Sequence, residues 1–385
     1  MATPIANPLP KLRVALLLPG LGRVHRGAET AFLELAKGLN AFPDVAVTLF
    51  GTGDDVPAGL DVRRVGCVPR ERFEGWPKLP ALRSECHYEE MSFILSLISR
   101  RAFRRRDFDA AIHCTFPFTN WFLRAAKRRG GPASVFVTQN GDWMCQAESR
   151  EFRTFRCDGL VCTNPEYFAR HRDRYPSTLI PNGVDADVFT PVGMDDSAVV
   201  RRFPRDKKIV LMTSALIASK RVADGVKAVA QVRDAFLVVS GDGPERRAVS
   251  ELAAQLLPGR HLMLGSLHRG EMPALYRRAD AFLHTSQDEP FGIVYLEAAA
   301  SGVPVVAHDG AVPRWILGDT ARFADTSDPA AVARALSAAL APDTGRALGL
   351  AARRRVLAEW TWAAQAAKYR DFLRSLVSPR RVEAA

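Results

Sequence analysis

The sequence has no apolar run long enough to cross a lipid bilayer. Its longest apolar runs, such as Val14–Leu18 and Phe236–Ser240, have the length of a buried strand, whereas a membrane span needs roughly 20 residues. The first ten residues, MATPIANPLP, also lack the basic region followed by an apolar region that marks a signal peptide. These absences argue against an integral membrane protein and a secreted one, and they predict a cytoplasmic protein.

Cysteine pairs and acidic motifs suited to a metal are also missing. The chain has 6 cysteines, none in a C-x-x-C pair and none with a histidine at a spacing typical of zinc sites. The adjacent aspartates Asp54–Asp55 and Asp195–Asp196 fall in a loop and a linker, and we find no Asp-x-Asp motif placed to hold a metal ion. The sequence therefore predicts no metal site and no cofactor.

The sequence lacks the signatures of nucleic-acid-binding proteins and of nucleotide-dependent oxidoreductases. The chain carries 53 Lys and Arg against 42 Asp and Glu, a net charge of +11, which suits nucleic acid, an anionic membrane surface or anionic sugar nucleotides. No DNA- or RNA-binding motif is recognisable, and basic side chains are not interleaved with aromatic ones, so we expect no nucleic-acid partner. The first loop, Pro19–Gly27, has no G-x-G-x-x-G, which argues against a nucleotide-dependent oxidoreductase.

Short apolar runs alternate with stretches of helical periodicity in two separate series. Arg13–Leu18 is an apolar run followed by Pro19-Gly20, as is typical of a buried parallel strand. Glu29–Leu39 then has apolar residues at helical spacing, and Val45–Phe50 is the next predicted strand. The rhythm restarts at Lys208–Thr213, after a stretch, Val188–Pro204, whose Pro, Gly and Asp content is typical of a linker. This order predicts an α/β protein of two Rossmann-like, doubly wound domains facing a cleft.

The two series also predict the domain boundaries. The first domain spans 1–188, a linker 189–207 and the second domain 208–362, and a C-terminal helix over 363–385 packs back on the first domain. The further strands predicted are Ala110–Cys114, Ser134–Thr138, Gly159–Thr163, Thr178–Ile180, Ala235–Ser240, His261–Leu264, Ala281–Thr285 and Val303–Ala307.

The most informative stretch is DEPFGIVYLEAAASGVP, which spans Asp288–Pro304. Glu289 and Glu297 are separated by seven residues, the first in a Pro/Gly loop and the second inside the helix that follows. The amides of residues 292–294 would be unsatisfied donors at the positive end of that helix, which suits a diphosphate. Glu297 could then accept hydrogen bonds from a ribose, and Glu289 could reach a bound sugar. The alternative is a capping acid followed by a solvated helical glutamate.

The order of the motifs decides between these two interpretations. EPFGIVYLEAAASGVPVVA resembles the signature of the retaining glycosyltransferases of the GT-B fold, specifically family 4. The resemblance covers nearly the whole chain and is strongest from Ile180 to Asp319. The other matching segments, in the order that this family shows, are Gly27–Glu29, Ile180–Phe189, Ser214–Arg221, Gly241–Arg247, Leu264–Ser286 and the tryptophans Trp360 and Trp362.

The resemblance implies a donor site on the second domain. Lys220 occupies the position of the family lysine that pairs with the donor diphosphate, and a compact ammonium suits a phosphate. Many members have an arginine five residues earlier, where this chain has Ala215, so Arg221 is the candidate second cation. The Gly27-Ala28 loop would bring backbone close to the diphosphate, although a plain βα turn explains it too. The implied donor-binding residues are Gly27, Ala28, Ser214, Lys220, Arg221, Gly241, Leu267, Phe291, Gly292, Ile293, Val294 and Glu297.

The resemblance also implies an acceptor site, mainly on the first domain. His113 ends a strand near the position where many members have a histidine that touches the transferred sugar, and a buried structural histidine is the alternative. Asn140 and Asp142 could hydrogen-bond an acceptor hydroxyl, with Trp143 as a stacking face, unless they only form an Asx turn beside a core tryptophan. Asn182 completes the implied acceptor residues. Glu289, His113 and Lys220 are the implied catalytic residues.

One further segment indicates a membrane surface. Residues 91–106 (MSFILSLISRRAFRRR) combine apolar residues with a run of arginines, and as a helix they resemble the surface by which some family members dock on anionic lipid. A core-packed helix with a charged end is the alternative.

The resemblance implies a metal-independent retaining glycosyltransferase, cytoplasmic and with a peripheral membrane contact. It would transfer a hexose-type sugar from a nucleotide diphosphate sugar to a hydroxyl of a glycan, glycolipid or small molecule. A nucleotide-sugar epimerase or a sugar phosphorylase of the same fold is the alternative.

Overall fold

The computed structural model describes residues 10–24, 26–193 and 197–377, and it divides into two compact units. Of the described residues, the first unit comprises 10–24, 26–181 and 362–377, and the second comprises 182–193 and 197–361. The aspartates Asp195–Asp196 and the end of the predicted C-terminal helix, 378–385, lie outside the described residues.

Each unit is built on one parallel sheet. The strands, in chain order, are β1 Leu12–Leu17, β2 Val45–Gly51, β3 Asp61–Arg64, β4 Ala110–His113, β5 Ala133–Val137, β6 Gly159–Cys162, β7 Ser177–Leu179, β8 Lys208–Thr213, β9 Ala235–Ser240, β10 His261–Gly265, β11 Ala281–His284, β12 Val305–His308 and β13 Arg322–Ala324. The short edge strands β3 and β13 were missed from the sequence because their residues are partly exposed and carry no continuous apolar run.

Helices connect the strands of both sheets. In chain order they are α1 Gly27–Asn40, α2 Glu85–Ser99, α3 Phe118–Lys127, α4 Pro165–His171, α5 Val222–Ala230, α6 Arg246–Leu256, α7 Met272–Arg278, α8 Ile293–Ala300, α9 Ala311–Leu317, α10 Pro329–Leu340, α11 Pro342–Glu359 and α12 Trp362–Val377. No helix in the described part of the chain is both long and apolar enough to span a membrane.

The strand order places a ligand edge in each sheet. The first sheet runs β3-β2-β1-β4-β5-β6-β7 and the second runs β10-β9-β8-β11-β12-β13. The order reverses between β1 and β4 in the first sheet and between β8 and β11 in the second, and ligands of doubly wound sheets bind beyond the carboxyl ends of the strands at such points. The predicted α/β class with two Rossmann-like, doubly wound domains is confirmed.

The division of the chain differs from the predicted boundaries around residue 189. Phe189, Val200 and Phe203 are buried in the core of the second unit, and Val184 N–H donates to the Trp360 carbonyl at 2.8 Å. Residues 182–193 and 197–207 therefore belong to the second unit, although their Pro, Gly and Asp content suggested a linker. Buried aromatic side chains at wide spacing give no periodic signal, which is why composition pointed the other way.

The helix α12 belongs to the first unit, where it packs against α1. A Cβ at Gly38 of α1 would lie 2.7 Å from the Cβ of Ala366, so the two helices approach closely. Arg374 near the end of α12 also pairs with Asp44 at 2.6 Å. The chain thus returns to its first unit after completing the second.

The helix expected over 91–106 is shorter and shifted. It is α2, which ends at Ser99, and Arg101 then adopts a left-handed backbone with φ of 50°. The arginines therefore follow the helix instead of forming its last turns. Phe93, Ile94 and Leu97 are buried on the inner face of α2, so part of the segment is core, as the alternative interpretation required.

Candidate active site

The loops after β8, β9 and β10 are held against one another at the carboxyl edge of the second sheet. Ser214 N–H donates to the Ser240 carbonyl at 3.0 Å, and Gly241 N–H donates to the Gly265 carbonyl at 2.8 Å. Gly241 has φ of 144°, and a Cβ there would lie 1.8 Å from the Ser214 carbonyl oxygen. Only glycine fits this contact, so Gly241 forms the edge by bringing two backbones together.

Lys220, Glu289 and His284 meet beside these loops. The Lys220 ammonium lies 2.5 Å from Glu289 Oε2, and the His284 Nε2 lies 2.9 Å from the same oxygen. Thr285 Oγ donates to the carbonyls of Lys220 and Arg221, both at 2.9 Å, which anchors the turn carrying the lysine to the segment after β11. The structure thus joins two of the three predicted catalytic residues and adds His284.

The Glu289 carboxylate is ionised at neutral pH despite its burial. Burial alone would raise the pKa of Glu289, but the hydrogen bond and charge of His284 and the charge of Lys220 outweigh it and lower the pKa to about 2. A carboxylate of this kind accepts hydrogen bonds and does not donate a proton. Glu289 can therefore bind a sugar hydroxyl but cannot serve as a general acid near pH 7.

The turn before α8 brings Glu289 close to the start of that helix. Gly292 precedes α8 with φ of 81°, and a Cβ there would lie 2.6 Å from the ring of Tyr295 and 3.0 Å from Glu289 Cγ. The amides of Ile293 and Val294 begin the helix at the positive end of its dipole. Phe291 has a different environment, because its side chain is buried against Trp315 and Trp360; its side chain therefore supports the turn from the core.

Glu297 is a buried residue rather than a solvated one. Its Oε2 accepts a hydrogen bond from Tyr276 Oη at 3.0 Å, and Arg269 Nη1 lies 3.6 Å from Oε1. Tyr276 Oη also lies 3.0 Å from Thr213 Oγ at the end of β8. The carboxylate is thereby positioned near the strand ends, as a ribose ligand would need. Sequence reasoning missed Tyr276 and Arg269, whose only signal was their place in the matching segment 264–286.

The other residues of the second unit that were predicted to bind the donor lie at the same edge, in different surroundings. Arg221 has φ of 53°, and its guanidinium pairs with Asp224 at 2.8 Å and bonds Gln287 at 3.3 Å. Ser214 Oγ donates to the Ala215 carbonyl at 3.1 Å. Leu267 is half-buried against the core of the unit. Arg221 thus lies beside Lys220 but already has anionic and polar partners.

The residues predicted on the first sheet divide into exposed and enclosed ones. Gly27 and Ala28 begin α1, and a Cβ at Gly27 would meet no atom within 4 Å. Asn140 is exposed in the loop after β5. Asp142 in the same loop is buried and accepts hydrogen bonds from Gln146, Arg170 and His171. Burial alone would raise the pKa of Asp142, but these bonds hold it below its ordinary value.

Asp142 therefore ties its loop to α4, which does not fit direct contact with an acceptor. Asn182 is buried at the start of the second unit and not in the first.

His113 is enclosed at the end of β4. Its side chain is fully buried, with Nδ1 3.1 Å from the Thr115 carbonyl and Nε2 3.2 Å from Ser134 Oγ. Burial lowers the pKa of His113 to about 4. Contact with a transferred sugar does not fit this environment, and the structural histidine of the alternative interpretation does. One residue of register decides the face on which a strand side chain lies, and a strand position read from the sequence does not fix that face.

We expect His113 to make the fold sensitive to mild acid. In the folded chain it stays neutral down to about pH 4, whereas the unfolded chain takes up a proton below about 6.5, so the free energy of unfolding falls as the pH falls through this window. The loss should total about 3 kcal/mol. Urea denaturation between pH 7 and 4 should show this loss in the wild type and less of it in His113→Gln; equal losses in both proteins would contradict the assignment.

The described residues contain no group of three His, Cys, Asp or Glu side chains placed to hold a metal ion. The side chains clustered at the second sheet are the cations Lys220, Arg221 and Arg269, the carboxylates of Glu289 and Glu297, and the hydrogen-bond donors His284 and Tyr276. Together with the start of α8, they can bind a phosphate group and hydroxyl groups.

Comparison with known proteins agrees with the motifs. Residues 25–188 match the model described as Glycosyltransferase Family 4, and residues 194–355 match that described as Glycosyl transferases group 1. The GDP-mannose-dependent alpha-(1-6)-phosphatidylinositol monomannoside mannosyltransferase of Mycolicibacterium smegmatis is 33% identical in an alignment 292 residues long, which covers 66% of this chain and 76% of that protein. The protein of the same description from Mycobacterium tuberculosis is 32% identical in an alignment 211 residues long, which covers 51% of this chain and 55% of that protein.

Among solved structures, sucrose-phosphate synthase from Thermosynechococcus elongatus superposes with a TM-score of 0.77 at 21% identity, covering 96% of this chain and 100% of that one. This likeness concerns the fold, and the predicted GT-B fold is confirmed. From the two family matches and the mycobacterial relatives, the chain belongs to glycosyltransferase family 4.

Proposed function

We propose that this chain transfers a hexose-type sugar, with retention of anomeric configuration, from a nucleoside diphosphate sugar to a hydroxyl group. The observation that carries the proposal is the placement of Lys220 and Glu289 beside the start of α8, with Glu297 buried one helix turn further on. The cation and the helix amides suit a diphosphate, the carboxylate of Glu289 suits a sugar, and the carboxylate of Glu297 suits a ribose. The mycobacterial relatives are named as transferases, which does not favour an epimerase or a phosphorylase.

The proposed chemistry is stabilisation of a leaving group. Departure of the nucleoside diphosphate builds negative charge on the β-phosphate, and preorganised donors at that place lower the barrier. Lys220 and the first amides of α8 are the proposed donors, with Arg221 as a lesser cation and with no metal ion. Since Glu289 is an accepting carboxylate, we assign it to a sugar hydroxyl. For retention we propose that the acceptor hydroxyl approaches on the face of the leaving phosphate and hydrogen-bonds to it.

We propose GDP-mannose as the donor, because both mycobacterial relatives are named as GDP-mannose-dependent. Two measurements test this choice: calorimetry of GDP, UDP, ADP and TDP binding, and the slow hydrolysis of the corresponding nucleoside diphosphate sugars in the absence of an acceptor. We expect GDP to bind at least about tenfold tighter than the others, which corresponds to about 1.4 kcal/mol, and GDP-mannose hydrolysis to persist in EDTA. Tighter binding of another nucleotide would replace the donor, and loss of hydrolysis in EDTA that Mg²⁺ restores would contradict metal independence.

For the acceptor we propose a sugar-bearing or lipid-linked hydroxyl compound. The supporting residues lie on the first unit, where Asn140 is exposed and Trp143 in the same loop is 39% exposed. A partly exposed indole offers an apolar face to a sugar ring while its N–H stays free to find a polar partner. Gly27 and Ala28 at the start of α1 are the other proposed contacts from this unit.

We also propose that the protein is cytoplasmic and that the first unit docks on anionic membrane through the end of α2. Leu95 and Ile98 on α2 are 58% and 54% exposed, and Arg104, Arg105 and Arg106 follow as exposed side chains. Apolar side chains beside a run of arginines favour a lipid surface that carries negative charge.

Changing these three arginines to Gln should weaken sedimentation with vesicles of phosphatidylglycerol and phosphatidylcholine. Each removed cation costs about 1 kcal/mol of attraction at low salt, and raised salt should weaken wild-type binding in the same way. The matched control changes three exposed arginines of the second unit, Arg247, Arg334 and Arg354, to Gln. An equal loss of vesicle binding in the control would show that net charge alone matters. If the wild type does not bind the vesicles at all, the end of α2 is not a membrane-docking surface.

A further inference from the structure

The two oxygens of the Glu289 carboxylate have different surroundings. Oε2 accepts from both Lys220 and His284, at 2.5 and 2.9 Å. Oε1 accepts no hydrogen bond from any described residue. Because the pKa of Glu289 is about 2, the carboxylate is an acceptor only, and His284 must carry its proton on Nε2 to make this bond. One oxygen is thus held by the protein, and the other is left for a ligand.

The two donors to Oε2 differ in how firmly they are held. Lys220 reaches the carboxylate through a long side chain that is 20% exposed. His284 is the last residue of β11, is 3% exposed, and packs edge-on against Tyr295 with ring centroids 5.1 Å apart. A histidine enclosed at the end of a strand keeps its place, whereas a lysine ammonium can turn toward another anion.

The proposed function makes two demands on Lys220. The ammonium would have to neutralise the donor diphosphate, yet it is also the cationic partner of Glu289. An incoming diphosphate attracts the ammonium and repels the carboxylate, so the ion pair between Lys220 and Glu289 weakens when the donor is bound. The His284 bond does not depend on the phosphate, since its imidazole is enclosed by the fold.

From this asymmetry we infer that His284 is a positioning residue for Glu289: it holds Oε2 when the diphosphate draws Lys220 away, and it keeps Oε1 directed at the sugar being transferred. The inference rests on the proposed function, to which it adds the residue that orients the sugar-binding carboxylate. The only sequence signal for His284 was its place in the matching segment 264–286, because it otherwise ends an apolar strand and looks like one more core position.

The test compares three replacements at residue 284 in the full chain. His284→Leu removes the hydrogen bond and keeps an apolar volume, His284→Gln keeps an N–H near the position of Nε2, and His284→Asn is too short to reach Glu289. With GDP-mannose as donor, or whichever nucleotide sugar the donor screen identifies, we expect kcat to fall about 10- to 100-fold in the Leu and Asn variants, because a displaced catalytic contact costs this much. The Gln variant should stay within about fivefold of the wild type.

A second measurement separates positioning from general damage. Binding of GDP, or of the nucleoside diphosphate of the donor found, lacks the sugar, so we expect its affinity in calorimetry to change less than about threefold in all three variants. His261, a half-buried histidine of β10 whose Nδ1 bonds the Leu257 carbonyl at 2.9 Å, is the matched control, and His261→Leu should leave kcat and nucleotide affinity unchanged.

Several outcomes overturn the inference. These are a wild-type kcat in His284→Leu, a Gln variant as slow as the Asn variant, and nucleotide affinity that falls as far as kcat. If His284→Leu does not fold, the Gln and Asn pair decides alone, since both replacements are polar. Failure of the proposed function gives a different result from failure of this inference. In that case the wild type itself neither binds any of the four nucleotides nor hydrolyses the corresponding nucleoside diphosphate sugars.

Discussion

Replacing Lys220 with Met is expected to lower kcat/KM for the donor by about a thousandfold, the upper range for removing one preorganised donor to a developing negative charge. Two effects act together. In the proposed function the diphosphate loses its cation, and Glu289, which is 11% exposed, loses a partner at 2.5 Å. An under-compensated carboxylate then faces an anionic leaving group, so both binding and turnover suffer. Steady-state kinetics with GDP-mannose and calorimetry with GDP measure the two parts.

Two neighbouring cations provide the controls. Lys227→Met removes a lysine of the same unit that is 47% exposed and pairs with Asp224 at 3.0 Å, and it should leave kcat/KM unchanged. Arg221→Asn should cost less than about tenfold, because Asn tolerates the left-handed backbone and the guanidinium already pairs with Asp224. A loss at Arg221 equal to that at Lys220 would mean that the two share the phosphate, and an active Lys220→Met enzyme would remove the lysine from the site.

Replacing Gly241 with Ala is expected to lower the free energy of unfolding by more than about 3 kcal/mol and to abolish nucleotide binding. The added methyl would lie 1.8 Å from the Ser214 carbonyl, so the loops after β8 and β9 would have to separate. These loops flank the turn that carries Lys220, and their separation would move the lysine as well. Urea denaturation measures the first effect and calorimetry with GDP the second.

The control for Gly241 separates the strain of a positive φ from the steric collision of the added methyl group. Gly259 has φ of 69°, but a Cβ there would meet no atom within 4 Å. Gly259→Ala therefore carries conformational strain without a collision, and it should cost about 1 kcal/mol while nucleotide binding is retained. If the two variants lose the same stability, the close approach at Gly241 contributes nothing beyond its backbone angle.

The sequence predicted the parts of the candidate site on the second sheet that depend on local order. The spacing of Glu289 and Glu297 around a Pro/Gly turn and a helix start is local, and the structure keeps it as a turn at Gly292 followed by α8. Lys220 is similar, since it follows the first strand of the second series by a few residues. Most central strands were also predictable, because parallel strands buried on both faces appear as continuous apolar runs.

The partners of these residues could not be predicted in the same way. His284 reaches Glu289 from the end of β11, and Tyr276 and Arg269 reach Glu297 from the segment before it. Each contact depends on how a loop returns across the sheet edge, which no short-range periodicity records. The same limit applied to Phe189, whose burial in the second unit appears only once the strands are assembled.

The amino-acid sequence by itself determined the α/β class and the family, and it predicted Lys220, Glu289 and Glu297 as the residues of the proposed donor site, because local motifs and strand order carry that information. Only the tertiary structure decided that His113 and Asp142 are enclosed, that α2 ends at Ser99, and that His284 shares Glu289 with Lys220. The physical reason is that burial and charge pairing are set by contacts between segments distant along the chain, whereas helices and buried strands are encoded by neighbouring residues.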